Sequence, residues 1–217
     1  KINELGQKSV TYFPLEQFPL FMRNIYKRPD STKVEDRPID LAYCGSFRGG
    51  RRQKDMIEYF FNRNIRTEMT GNIKIAQFNP KWIDGKKQPI FNKSLKQMEL
   101  SKYMHNTLAS VVIADPLYID YYDIAQRAYE HLIYGVVNFI DLKVDPDKSF
   151  YENPFMKDFM YVSSGEELER KINMLKQDEN LLRQIRMHQH MIIDSFDYKE
   201  YVDKFKAMFI KLIKGEM

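Results

Sequence analysis

The decisive stretch runs from Asp40 to Lys54, DLAYCGSFRGGRRQK. With Ile39 before it, its opening makes Ile39 to Tyr43 a mostly apolar segment that has the length and character of a short strand. The glycines and serine of Gly45 to Gly50 then predict a loop, and a helix is expected from Arg51 to about Asn62, with Met56, Tyr59 and Phe60 spaced to face a core. Such a loop suits an anion. Gly45, Gly49 and Gly50 let backbone N–H groups come close to a ligand, and the helix start adds free donors and the positive end of a dipole. Arg51, Arg52 and Lys54 sit where positive charge opposes that dipole, a conflict that a bound phosphate relieves. Ser46 can donate a hydroxyl, and Arg48 and Arg52 can fork onto phosphate oxygens. The plain alternative is a tight turn carrying solvated basic residues, since the loop matches neither the Walker pattern nor GxGxxG.

Outward from this unit, further strands are expected at Ile65 to Thr70, Leu108 to Ala114, Val136 to Ile140 and Phe159 to Val162. Gly71 to Pro89, rich in Lys, Asn, Pro and Gly, reads as mostly loop with one short helical turn at most. Asp120 to Tyr134 predicts a helix with Ile124, Ala128 and Leu132 on one face and Gly135 at the C′ position. Ser164 and Glu167 predict a capping box for a helix that buries Leu168, Ile172 and Leu175. Two more helices, Glu179 to about Ile192 and Tyr198 to Lys214, are separated by a break at Ser195 and Asp197. Strands alternating with helices imply parallel pairing through right-handed crossovers. The fold class is therefore α/β, a Rossmann-like open parallel sheet with flanking helices and extra C-terminal helices. Ligands of such sheets sit at the carboxyl ends of the strands, which directs attention to the loops after Tyr43, Thr70, Ala114 and Ile140. Residues 1 to 38, with Pro14, Pro19, Pro29 and Pro38, stand apart from the alternation and read as an interdomain connector with an edge segment.

The 217 residues are 43% hydrophobic and 29% charged, a balance that supports a sizeable core and excludes a disordered binding segment. A single Cys44 leaves neither a disulfide framework nor a multi-cysteine zinc site, and the composition is that of an intracellular protein. The longest nearly apolar run, Leu108 to Ala114, is far short of the roughly 20 residues of a membrane span. The chain opens at Lys1 with no targeting signal, so a piece of a longer protein is expected. Charge is uneven. Arg48 to Lys102 carries 13 Lys and Arg against 5 Asp and Glu, whereas Asp115 to Glu152 carries 3 against 8. The first of these stretches is the better candidate to face an anionic partner.

A second constellation, Tyr122 to Asp141, YDIAQRAYEHLIYGVVNFID, places Arg127 and Glu130 three apart on one helix face. This is either an ordinary surface ion pair or a nucleotide device, in which the carboxylate accepts ribose hydroxyls while the arginine holds the diphosphate. His188 and His190, two apart on a helix, point to different faces and do not make a metal pair. His105 and His131 have no evident partner, and Cys44 reads as a small core residue rather than a nucleophile. Asp141, Asp145 and Asp147 follow a strand and read as a solvated acidic loop, with cation ligation as the alternative.

The two blocks, in this order and about 80 residues apart, resemble the C-terminal half of the bacteriophage DNA β-glucosyltransferases, which move glucose from UDP-glucose onto 5-hydroxymethylcytosine in duplex DNA. YFPLEQF at 12 to 18, GSFRGGRR at 45 to 52, TGN at 70 to 72, PIF at 89 to 91 and RAYE at 127 to 130 carry the resemblance, although the family has glycine where this chain has Cys44. It implies a two-domain GT-B type glycosyltransferase in which residues 39 to 195 form the donor-binding domain. Residues 196 to 217 would form a helix that packs back towards an N-terminal domain, with which the chain would make a monomer. It also implies that Ser46, Arg48, Arg52 and Arg127 hold the diphosphate beside Gly45, that Glu130 holds the ribose, and that the backbone near Leu95 meets the uracil. The catalytic base, for an inverting displacement, would lie in the N-terminal domain. Asp115, or else Asp120 or Asp123, would be the stand-in within this chain. The implied donor is UDP-glucose, with a Mg or Mn ion admissible at the diphosphate. The acceptor is duplex DNA, the setting is the cytoplasm of an infected host cell, and no membrane is involved. Rival readings are a non-catalytic UDP-sugar-binding module, a transferase for another sugar or acceptor, and a basic DNA-binding module without transfer chemistry.

Overall fold

Parallel strands covered on both faces are mostly apolar and buried along nearly their whole length, and three segments show that burial. In β1 (Ile39–Ser46) the first six residues are buried, and in β4 (Thr107–Val112) and β5 (Val137–Asp141) every residue is. The computed structural model describes residues 37–47, 49–113 and 127–214. Its other elements are α1 (Arg51–Phe60), β2 (Thr67–Asn72), a 3-10 turn at Ile75–Gln77, α2 (Pro80–Ile83), β3 (Ile90–Asn92) and α3 (Gln97–His105). After β4 come α4 (Arg127–Ile133), then β5, α5 (Pro154–Phe159), β6 (Tyr161–Val162), α6 (Gly165–Gln177), α7 (Glu179–Asp194) and α8 (Tyr198–Lys214). The strands form one six-stranded sheet in the order β3-β2-β1-β4-β5-β6, every described pair parallel. This is a Rossmann-like α/β sheet, as the alternation of elements predicts. Its order reverses between β1 and β4, which opens a crevice at their carboxyl ends.

Alternation along β1 divides its side chains between two cores. Leu41 and Tyr43 join the large cluster that includes Met56, Tyr59 and Phe60 of α1, whereas Cys44 packs with Met104, Tyr134 and Val136 in a smaller one. Helix α6 lies against α1, and Gly165 is what permits it: a Cβ there would stand 2.1 Å from the carbonyl oxygen of Glu58. At the end of α4, Gly135 has φ 67°, its N–H donates to Leu132, and the next N–H, of Val136, donates to His131. These two bonds complete the C-terminal turn expected at Gly135.

Several boundaries depart from the sequence reading. Strand β1 runs on through Gly45 and Ser46, read as loop, because they pair with Gly71 and Asn72 of β2, which likewise extends past Thr70. Helix α1 stops at Phe60, and Asn62 takes a left-handed φ of 57°. The short strand β3 and helix α3 were not anticipated. Phe159 ends a helix rather than opening a strand, since Asn153 caps Met156 N–H and Pro154 sits in the first turn of α5. At α6, Ser164 caps Glu167 N–H as expected, but the Glu167 carboxylate reaches back to Ser163. Residues 1–36 and the first part of the helix expected over 120 to 134 lie outside the described residues. Among the described residues, no helix is long and apolar enough to cross a membrane.

Arg37, assigned from sequence to the connector, is 2% exposed and donates to the carbonyls of Thr107 at 2.6 Å, Met104 and Tyr134. Two of these carbonyls close the ends of α3 and α4, where a cation meets the negative end of the helix dipole. Arg37→Met keeps the stem and removes the donors. Losing charged hydrogen bonds at a buried site is expected to cost about 1.5–3 kcal/mol, read as a fall of several degrees in Tm by far-ultraviolet circular dichroism. An unchanged Tm would mean that the bonds contribute nothing.

Candidate functional site

At the carboxyl end of β1, the backbones of two strands touch. Gly45 and Gly71 are opposite each other in the β1–β2 register, and Gly71 has φ 129°. A Cβ on Gly71 would lie 1.8 Å from the Gly45 carbonyl oxygen, so only glycine fits there. Ser46 is exposed at the end of the strand. Helix α1 then begins behind Gly50, φ 65°, with no side-chain cap and no acidic residue in its first turn. Its dipole is left to an external anion or to water.

Arg52 is held over this loop. Its guanidinium donates to the Tyr43 hydroxyl at 2.8 Å, and that hydroxyl donates to the Ser46 carbonyl at 3.3 Å. The Arg52 Nε is buried without a hydrogen-bond partner, a donor kept dry beside the loop. Burial pushes the Tyr43 phenol above its ordinary pKa, offset in part by the positive charges of Arg52 and Arg127. Tyr43 therefore stays a neutral hydroxyl that fixes Arg52. Sequence reasoning missed it, because tyrosine on a strand is normally read as core.

Arg127 and Glu130 form an ion pair in the first turn of α4, with side chains 36% and 21% exposed. Burial raises the Glu130 carboxyl above the usual carboxylate range, and the charge of Arg127 only partly counters this. The field of Arg127 reaches Tyr43 and Cys44, and that of Glu130 reaches Cys44, so the second block stands beside the end of β1. Topology brings them together, for β4 pairs directly with β1 and α4 precedes β5 on the same side of the sheet order. The result is a rim with two guanidinium groups and one half-buried carboxylate, able to take an anion and accept hydrogen bonds from hydroxyl groups.

The other candidates sort clearly. Leu95 is partly buried between β3 and α3, past the carboxyl end of β3. Arg48, Asp115, Asp120 and Asp123 lie outside the described residues. Cys44 is buried against the Met104 sulfur at 3.3 Å, and burial pushes its thiol up to about 12, which leaves it inert. His131 does have a partner, Asn138 Oδ1 at 2.8 Å, and burial holds its imidazole down to about 3, so it is a neutral core histidine. The His105 ring meets the edge of Tyr134. His188 lines a cavity of about 510 Å³ with Phe150, Met156 and Met191. Asp141 and Asp145 are not solvated: they are 1% and 5% exposed. Asp145 accepts from Ser149 and Phe150 N–H and from the Tyr161 hydroxyl, and Asp141 accepts from Lys143 N–H. These carboxylates shape the loop after β5, and only Asp147 stays exposed. Among the described residues, no group of three or more His, Cys, Asp or Glu gathers to hold a metal ion.

No family model matches the chain. It is similar to the DNA beta-glucosyltransferase of Enterobacteria phage T4, 30% identical over 198 residues that make up 90% of this chain and 54% of the relative. A crystal structure of the DNA-modifying enzyme beta-glucosyltransferase superposes with a TM-score of 0.79 at 28% identity, covering 91% of this chain and 58% of that one. The T4 enzyme in complex with its UDP-glucose substrate gives 0.78 at 30% identity, over 90% and 55%. The same enzyme with UDP and Mn²⁺ gives 0.78 at 30% identity, over 90% and 54%. The resemblance read from the sequence motifs stands, and the chain spans about half the length of the relatives it matches.

Proposed function

We propose that this chain is the donor-binding part of a glycosyltransferase that uses UDP-glucose, and that the whole enzyme glucosylates 5-hydroxymethylcytosine in duplex DNA with inversion. The observation that carries the proposal is the convergence of Arg52 and Arg127 with Glu130 at the crevice between β1 and β4, on a chain similar to a DNA beta-glucosyltransferase. Arg52 and Arg127, with Arg48 and the Ser46 hydroxyl, hold the diphosphate beside Gly45. They neutralise the charge that grows on UDP as the anomeric bond breaks. Glu130 accepts the ribose hydroxyls, and the backbone near Leu95 meets the uracil. The base that takes the proton from the acceptor hydroxymethyl group comes from an N-terminal domain, towards which the exposed Phe205, Phe209 and Ile213 of α8 are proposed to face. Among the described residues no group of three or more His, Cys, Asp or Glu gathers to hold a metal ion, so a Mg or Mn ion would be held chiefly by the diphosphate itself.

Calorimetry of the chain with UDP-glucose tests the proposal, and Glu130 gives it a chemical signature. A ribose-holding carboxylate makes UDP-glucose bind better than its 2′-deoxy analogue, and Glu130→Ala narrows that gap. Because the Glu130 carboxyl lies above the usual range, acidification through its raised pKa neutralises the acceptor. Affinity is therefore full above that pKa and falls below it, beginning at a higher pH than for an exposed glutamate. Glu130→Gln removes this pH dependence. Equal binding of the two analogues by the unsubstituted chain would return Glu130 to a plain ion pair.

A further inference from the structure

At the carboxyl face of the sheet, the ends of β2 and β3 carry lysines. Lys74 stands two residues past β2, and Lys93 and Lys96 one and four past β3. All three are exposed, and no ion pair with a described carboxylate engages them. Their backbone is firmly held. The Thr70 hydroxyl donates to the Lys93 carbonyl at 2.8 Å, Lys74 N–H donates to Gln77, and Ile73 and Phe78 anchor the intervening turn in the core. Exposed ammonium groups carried on a held backbone at adjacent strand ends need no shape-specific partner, only closely spaced negative charge. The donor site described above uses only the backbone near Leu95 here and assigns no part to these lysine side chains.

We infer that the lysine rim at the ends of β2 and β3, Lys74 with Lys93 and Lys96, is a docking surface for the phosphate backbone of duplex DNA. This deepens the proposed function by giving the acceptor a place on this half of the molecule. A duplex laid along the rim lies beside the proposed donor crevice, at the carboxyl ends of neighbouring strands. Phosphate contacts of this kind position a duplex without reading its sequence.

The test uses the 217-residue chain, a fluorescein-labelled duplex and anisotropy at several salt concentrations, with UDP-glucose calorimetry on every variant. Lys74→Glu with Lys93→Glu is expected to weaken duplex binding roughly tenfold or more at low salt and to flatten the salt dependence by about two phosphate contacts, with UDP-glucose affinity unchanged. Lys206→Glu with Lys211→Glu on α8 changes net charge equally and is expected to weaken duplex binding far less. The inference is overturned if both double variants lose the same affinity, if the rim variant loses none, or if the unsubstituted chain does not bind the duplex at low salt. In each of these cases UDP-glucose binding is read separately, so intact donor binding leaves the proposed function standing and its absence removes it.

Discussion

Gly71→Ala is expected to unfold the carboxyl end of the β1–β2 pair and abolish UDP-glucose binding. The added Cβ would lie 1.8 Å from the Gly45 oxygen and 2.8 Å from its carbonyl carbon, both backbone atoms that no rotamer change can move. The φ of 129° is also one that alanine avoids. Relief requires the strands to part where Gly45 and Ser46 end β1 beside the proposed diphosphate. Loss of more than about 4 kcal/mol of stability follows, within the class of strained backbone substitutions. Gly85→Ala is the control, since Gly85 also has positive φ, 67°, but nothing lies within 4 Å of its Cβ position. It meets only the left-handed strain of about 1–2 kcal/mol. Urea unfolding of both variants decides the matter: equal losses would show that the close approach to Gly45 is not what Gly71 provides.

The sheet and the first half of this site were legible because their signals are local. The strand-glycine-helix passage around Gly45 is punctuated by residues whose backbone preferences act within a few positions, and the central strands β4 and β5 are mostly apolar segments buried along their length. What escaped depends on distance. Tyr43 acquires its role only when α1 folds back and delivers Arg52 to its hydroxyl. Asp145 looked solvated because the Tyr161 hydroxyl that meets it arrives 16 residues later, on the edge strand. His131 and Asn138 meet across the turn at Gly135, which reverses the chain from α4 into β5. Strand β3 has three residues, too few for a periodicity, and is held as an edge by pairing with Glu68, Met69 and Thr70. The Asn153–Pro154 pair was a readable helix start, but the apolar residues that follow it suit a strand equally well.

The convergence of the two arginines was legible only by resemblance, and it carries the strongest test of the donor site. A nucleoside diphosphate presents two adjacent negative groups, and Arg52 and Arg127 reach the crevice from opposite sides of the reversal in strand order. Each replacement by alanine removes a charge-assisted contact of about 1.5–3 kcal/mol, or one to two decades in the UDP-glucose dissociation constant. The two should not act alike. Arg127→Ala also frees Glu130 from its ion partner, and the remaining half-buried carboxylate then repels the diphosphate. Its loss should therefore be the larger, and partly recovered in Arg127→Ala with Glu130→Gln. Tyr43→Phe removes the hydroxyl that fixes Arg52 but leaves the guanidinium, so its effect should be smaller than that of Arg52→Ala and vanish in that background. Calorimetry with UDP-glucose reads all five variants. If Arg52→Ala and Arg127→Ala both leave affinity unchanged, the rim at the end of β1 is not the diphosphate site. If Tyr43→Phe weakens binding further in the Arg52→Ala chain, the tyrosine acts on the ligand itself rather than through the arginine.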